Sequence, residues 1–143
     1  MILLDTNVLS ALMRDPPDAA VVCWLNDQAP ERVWTTAVNA FEVRFGLARM
    51  AEGRRRRALE EAFEAVLRED LAGRVAPIDR AAAEAAGRLA ARREAAGRTV
   101  DVRDTLIGGV ALARRAAVAT RNLRHFDDLE TGVLDPWAAR TGA

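Results

Sequence analysis

Lysine is absent from this chain of 143 residues; all 21 of its side-chain cations are arginine. That excludes chemistry requiring a lysine, including the GKS/GKT phosphate loop and any Schiff base. Cysteine is limited to Cys23, so an internal disulfide and a zinc site built on several cysteines are both excluded. Between Val22 and Trp24, this thiol is expected to be buried and inert. Histidine is limited to His125, for which a surface or structural role is expected ahead of proton transfer. No apolar run is long enough to span a bilayer. The start, Met-Ile-Leu-Leu-Asp, has no basic segment before its apolar residues, so no signal peptide is expected and a cytoplasmic location is.

The 21 acids balance the 21 arginines. An arginine-only, alanine-rich composition reads most simply as the mark of a GC-rich genome. Its functional reading is phosphate recognition by planar guanidinium groups. The run Arg54 to Arg57 fits a solvated helix start better than an RNA groove. Half of the residues are hydrophobic, and the length suits one domain, residues 1–143, with a real core.

Strand and helix patterns alternate along the chain. Ile2 to Leu4 form a short apolar run that stops at Asp5-Thr6-Asn7, after which Val8, Leu9, Leu12 and Met13 recur at helical spacing. Asp18 is placed to cap a helix over 18–28. Val33-Trp34-Thr35 reads as a second strand. Thr36 caps a helix over 37–51 expected to bury Phe41, Phe45, Leu47 and Met50. A helix from Arg54 to about residue 70 precedes a third strand at Val75 to Ile78. Asp79 caps a helix to Ala96, and Asp101 begins another over 102–115. Ala117 to Thr120 and Gly132 to Leu134 are the last strands. This order predicts an α/β fold with a parallel sheet covered on both faces.

Three acids fall at element ends. Asp5 ends the first strand, where open α/β sheets bind ligands. Glu42 lies early in the helix after strand two, and Asp104 in the first turn of the helix before strand four. Each has a plain structural use: Asp5 as a cap, Glu42 as a dipole-favoured acid, Asp104 as half of a capping pair with Asp101. Brought together, three carboxylates repel, and a hard divalent cation relieves the repulsion; oxygen donors suit Mg²⁺ or Mn²⁺. A phosphatase fold that starts with an Asp after strand one is disfavoured by Asn7, where a second acid is usual, and by the missing lysine, which also disfavours a receiver domain.

The segments ILLDTNVLSAL at 2–12, TTAVNAFEVRFGL at 35–47, DVRDTLIGGVAL at 101–112, VATRNLRHF at 118–126 and GVLDPW at 132–137 carry a family likeness. The chain resembles the PIN-domain ribonucleases, and most closely the VapC-type (FitB-like) toxins of bacterial toxin–antitoxin pairs. The resemblance implies an α/β/α sandwich around four or five parallel strands and a Mg²⁺- or Mn²⁺-dependent endoribonuclease. It puts the metal-binding acids at Asp5, Glu42 and Asp104. After strand four, some members carry an acid at the place of Asn122 or of His125; this chain has neither, and Asn122 is the residue left to supply an oxygen. Thr6, Asn7 and Thr120 are expected as supporting polar groups, and Arg121 and Arg124 as contacts to the RNA backbone. The resemblance further implies tRNA or ribosomal RNA as substrate, a VapB-like antitoxin whose segment lies in an apolar groove between the early helices, operator DNA bound through that antitoxin, and a homodimer. The alternative is a catalytically weak PIN module that acts by binding RNA or a partner.

Overall fold

The computed structural model describes residues 1–138. Its elements are β1 (Ile2–Leu4), α1 (Thr6–Met13), α2 (Ala19–Asn26), β2 (Val33–Thr36), α3 (Ala37–Ala48), α4 (Arg54–Ala65), β3 (Val75–Ala76), α5 (Arg80–Ala95), α6 (Val102–Arg114), β4 (Ala117–Ala119) and β5 (Val133–Leu134). A π-helical turn, Val66–Asp70, carries α4 on to the length expected. The strands form one sheet in the order β3-β2-β1-β4-β5, and every pairing is parallel.

Buried parallel strands need apolar residues on both faces. β1 meets that need with all three residues buried. Ile2 and Leu4 point to one side, against Val8, Leu9, Leu12, Val43, Leu47 and Phe63. Leu3 points to the other, against Leu89, Ile107, Val110, Val118 and Phe126. Each such leucine, fully buried, contributes about 2 kcal/mol of transfer free energy. On the second face α5 and α6 pack almost backbone to backbone. A Cβ on Gly109 would stand 2.5 Å from the Ala82 carbonyl oxygen, so only glycine permits that approach.

The helix starts follow the acids and hydroxyls read from the sequence. Asp18, Thr36, Asp79 and Asp101 each accept a hydrogen bond from a backbone N–H of the helix they begin. Two burial expectations are overturned. Phe41 and Phe45 are 56% and 46% exposed, because Val38, Val43 and Leu47 take the inward side of α3 and leave the two rings on the opposite one. Cys23 is also exposed, since α2 turns Val21 inward and Cys23 out. Arg54, Arg55 and Arg57 are solvent-exposed, as a solvated helix start requires.

Candidate active site

From β1 the chain winds outward through β2 to β3, then returns to place β4 on the other side of β1. The carboxyl ends of β1 and β4 therefore flank the point where strand order reverses, which is where α/β sheets open a crevice. Asp5 follows β1 and Thr120 follows β4, and the Asp5 N–H donates to the Ala119 carbonyl at 2.9 Å. An open cavity of about 640 Å³ lies over them. Asp5, Glu42, Asp104, Thr6, Asn7, Asn122, Arg121, His125 and Trp137 contribute to its walls.

Asp5 is 5% exposed, and a carboxylate at that depth needs partners. Its Oδ1 accepts from the Thr6 N–H at 2.9 Å and from Asn39 Nδ2 at 3.0 Å. Its Oδ2 accepts from the Thr120 hydroxyl at 2.7 Å. The same carboxylate thus caps α1 and lines the cavity. Thr120 is saturated in turn, accepting from Asn7 Nδ2 at 3.2 Å and from the Asn122 N–H at 3.0 Å. The Thr6 hydroxyl donates to Glu42 Oε1 at 2.9 Å and accepts from Asn39 Nδ2 at 3.0 Å. Arg103 approaches the other Glu42 oxygen at 3.7 Å. Asp104 faces His125, with Oδ2 2.7 Å from Nδ1.

The structure therefore brings Asp5, Thr6, Asn7, Glu42, Asp104, Thr120 and Asn122 to one rim. It adds Asn39, which sequence reasoning did not single out. Fully buried, Asn39 holds Asp5 and Thr6 with one amide nitrogen, while its oxygen accepts from the Thr36 hydroxyl at 2.6 Å. The available signal was its place three residues before Glu42, one helical turn nearer the strand. Arg121 lines the same cavity, over the Trp137 ring. Arg124 lines an adjoining cavity with Arg93, Arg98, Asp104 and His125. His125, expected in a surface or structural role, is half exposed and contacts Asp104 through Nδ1.

Burial raises the Glu42 pKa above its ordinary value; the Thr6 hydrogen bond opposes this, the Asp5 charge adds to it, Arg103 opposes and Asp104 adds. Burial likewise raises Asp104, reinforced by Asp101 and opposed by His125. Folded-state pKa values above the unfolded ones mean that the folded chain holds these protons more tightly. Both acids thus work against folding at neutral pH, and that penalty is lost as pH falls through the raised values. Glu42→Gln, which keeps an oxygen for the Thr6 hydroxyl, is expected to raise the melting temperature in EDTA at pH 7 by about 2 °C. The gain should vanish in acid, where Glu42 is neutral. A lower melting temperature at pH 7 would mean that Arg103 and Thr6 outweigh the repulsion.

The donor set consists of hard oxygens, and its charges repel; this is the chemistry that fits Mg²⁺ or Mn²⁺. Among the described residues, no group of three or more His, Cys, Asp and Glu is already drawn into a metal cage. Each carboxylate instead has another partner: Asp5 the Asn39–Thr120 network, Glu42 Thr6 and Arg103, Asp104 His125.

The profile of the PIN domain matches residues 2–131. The chain belongs to the PIN domain family. This PIN domain is 36% identical over 137 residues to the VapC ribonuclease Y4jK of Sinorhizobium fredii, covering 96% of this chain and 98% of that one. It is 32% identical to Toxin FitB of Neisseria gonorrhoeae, across 96% of this chain and 99% of the toxin. It superposes on the structure of FitAB bound to an IR36 DNA fragment with a TM-score of 0.86 at 31% identity, over 98% of both chains. The PIN likeness implied a parallel sheet of four or five strands, and the sheet has five. No helix of the described residues is long and apolar enough to cross a membrane.

Proposed function

We propose that this PIN domain is a metal-dependent endoribonuclease toxin of the VapC/FitB type, neutralised by a VapB-like antitoxin. The observation that carries the reading is the convergence of Asp5, Glu42 and Asp104 on one cavity at the reversal point of the sheet. Relatives named as a VapC ribonuclease and as a toxin support it.

In this reading Asp5, Glu42 and Asp104 hold Mg²⁺ or Mn²⁺, with Asn122 as a further oxygen. When bound, such an ion stabilises charge on a phosphoryl oxygen and lowers the pKa of a water. The residues of the chain do the positioning. Thr120 and Asn39 fix both oxygens of Asp5, and Thr6 fixes one of Glu42. Asn7 ties the loop after β4 to α1 through the Arg121 N–H, at 3.1 Å. Arg121 and Arg124 attract the RNA backbone to an acidic centre that would otherwise repel it. Water attacks phosphorus, the bond to O3′ breaks, and the products carry 5′-phosphate and 3′-hydroxyl ends. The substrate is a tRNA or a ribosomal RNA loop, and its cleavage arrests translation.

An antitoxin segment has a place to lie. A groove of about 860 Å³ runs between α1 and α4, with Leu12, Met13, Pro17, Leu59, Ala62 and Val66 as its apolar lining. It shares Arg14 with the acidic cavity, so one bound helix reaches from groove to site. The FitAB–DNA complex supports operator binding through that antitoxin. For the homodimer, the support is the exposed face of α3, where Phe41 and Phe45 stack with ring centroids 5.9 Å apart. Phe45→Asp is expected to shift purified protein from dimer to monomer in light scattering; an unchanged mass would remove this face as the interface.

The test of the function is cleavage of total cellular RNA by purified protein, with Mg²⁺, with Mn²⁺ and with EDTA. Discrete cuts that EDTA abolishes support the nuclease. No cuts, from folded protein free of antitoxin, would favour a module that only binds RNA or a partner.

A further inference from the structure

The cavity that the three acids line has a further wall of different chemistry. The Arg121 guanidinium carbon lies 4.4 Å from the centroid of the Trp137 ring, and both residues line the cavity. Neither is placed loosely. Trp137 Nε1–H donates to Asp18 Oδ2 at 3.1 Å, and its backbone N–H donates to Asp135 Oδ1 at 2.9 Å. The ring packs against the core cluster that includes Leu9 and Leu12. The Arg121 N–H donates to Asn7 Oδ1, and Asn7 donates to Thr120, which holds Asp5. A short chain of hydrogen bonds therefore links this wall to the central carboxylate. Among the described residues no carboxylate pairs with Arg121, whose side chain is exposed above a half-buried ring.

A guanidinium seated over an aromatic ring on one side leaves its other face for a second partner, and Arg121 is exposed. That face is planar, cationic and weakly hydrated, and such planes stack on unpaired nucleobases. A point charge reaching a phosphate has no need of a ring beneath it. We propose that Arg121, mounted on Trp137, is a stacking platform for one unpaired nucleobase next to the scissile phosphate. The proposal rests on the nuclease reading and adds to it how the substrate strand is seated. In a duplex the base is stacked on its neighbours and unavailable, so paired RNA gains nothing from the platform. Trp137 positions Arg121, and Arg121 makes the contact.

The test is a cycle between protein and RNA. A short single-stranded RNA spanning one mapped cut is compared with versions abasic at each nucleotide flanking it, using the wild type and Arg121→Lys. Lysine keeps the charge and loses the plane. For the wild type, removing one particular flanking base should lower kcat/KM by about tenfold, the scale of one base–aromatic stack. Arg121→Lys should lose about as much on intact RNA, and removing the same base should then cost little more. Equal melting temperatures of the two proteins establish that folding is not the cause. Overturning results are an Arg121→Lys protein that cuts intact RNA like the wild type, or two losses that simply multiply. The first would leave Arg121 as a phosphate contact; the second would leave it without a base partner. If no RNA is cut in any arm, the nuclease reading fails and the platform falls with it.

Discussion

Asp5→Asn should abolish RNA cleavage, lowering the rate by on the order of a thousandfold, about 4 kcal/mol of transition-state stabilisation. The substitution is nearly isosteric, and Asn retains one oxygen for the Thr6 N–H and the Asn39 amide, so the fold should persist. What is lost is the negative charge at the centre of the rim. A graded control separates charge from orientation. Thr120→Val removes the hydroxyl donated to Asp5 Oδ2 and leaves the charge in place. It should cost about tenfold, the order of one lost hydrogen bond to a charged group. Single-turnover cleavage of a mapped RNA reads both variants. An Asp5→Asn protein that still cuts within tenfold of the wild type would remove Asp5 from the reaction, and circular dichroism would show whether a dead variant is folded.

Asp128→Ala should cost the fold about 3 kcal/mol or more, a large share of the 5–15 kcal/mol typical of a domain. The reason lies on α5. Arg93 is 4% exposed, and its guanidinium donates to both Asp128 oxygens at 2.8 Å. Removing the carboxylate leaves a buried cation with only the His125 carbonyl, at 2.8 Å, and a long contact to Thr105. The pH dependence has the opposite sign to that of Glu42. Arg93 holds the Asp128 carboxyl below its ordinary value. Its stabilisation is therefore present above the unfolded pKa and is lost only as pH falls through the depressed folded value. Urea unfolding at pH 7 should show the full loss, and the gap between wild type and variant should close only in strong acid. A shift under 1 kcal/mol at neutral pH would mean that water reaches Arg93. Because Arg93 also holds the His125 carbonyl, the same variant should loosen the turn that carries His125 to Asp104.

The sequence by itself determined the order of the elements, the parallel sheet and the choice of three acids that prove to line one cavity. The short apolar run Ile2–Leu4, bounded by Asp5, reads as a buried strand, and Asp18, Thr36, Asp79 and Asp101 announce helix starts by local hydrogen bonding that needs no distant partner. Asp5 stood out because a charge at the end of a buried run has a cost that must be met somewhere. Tertiary structure alone decided how it is met. Asn39 reaches Asp5 across 34 positions and Thr120 across 115, and nothing in the local pattern of either residue names that partner. The same holds for Arg93 with Asp128 and for Arg121 over Trp137. Burial on α3 and α2 was also a tertiary matter. Phe41, Phe45 and Cys23 are apolar enough for a core, yet a helix has one inward side, and which residues share it depends on the neighbours it packs against.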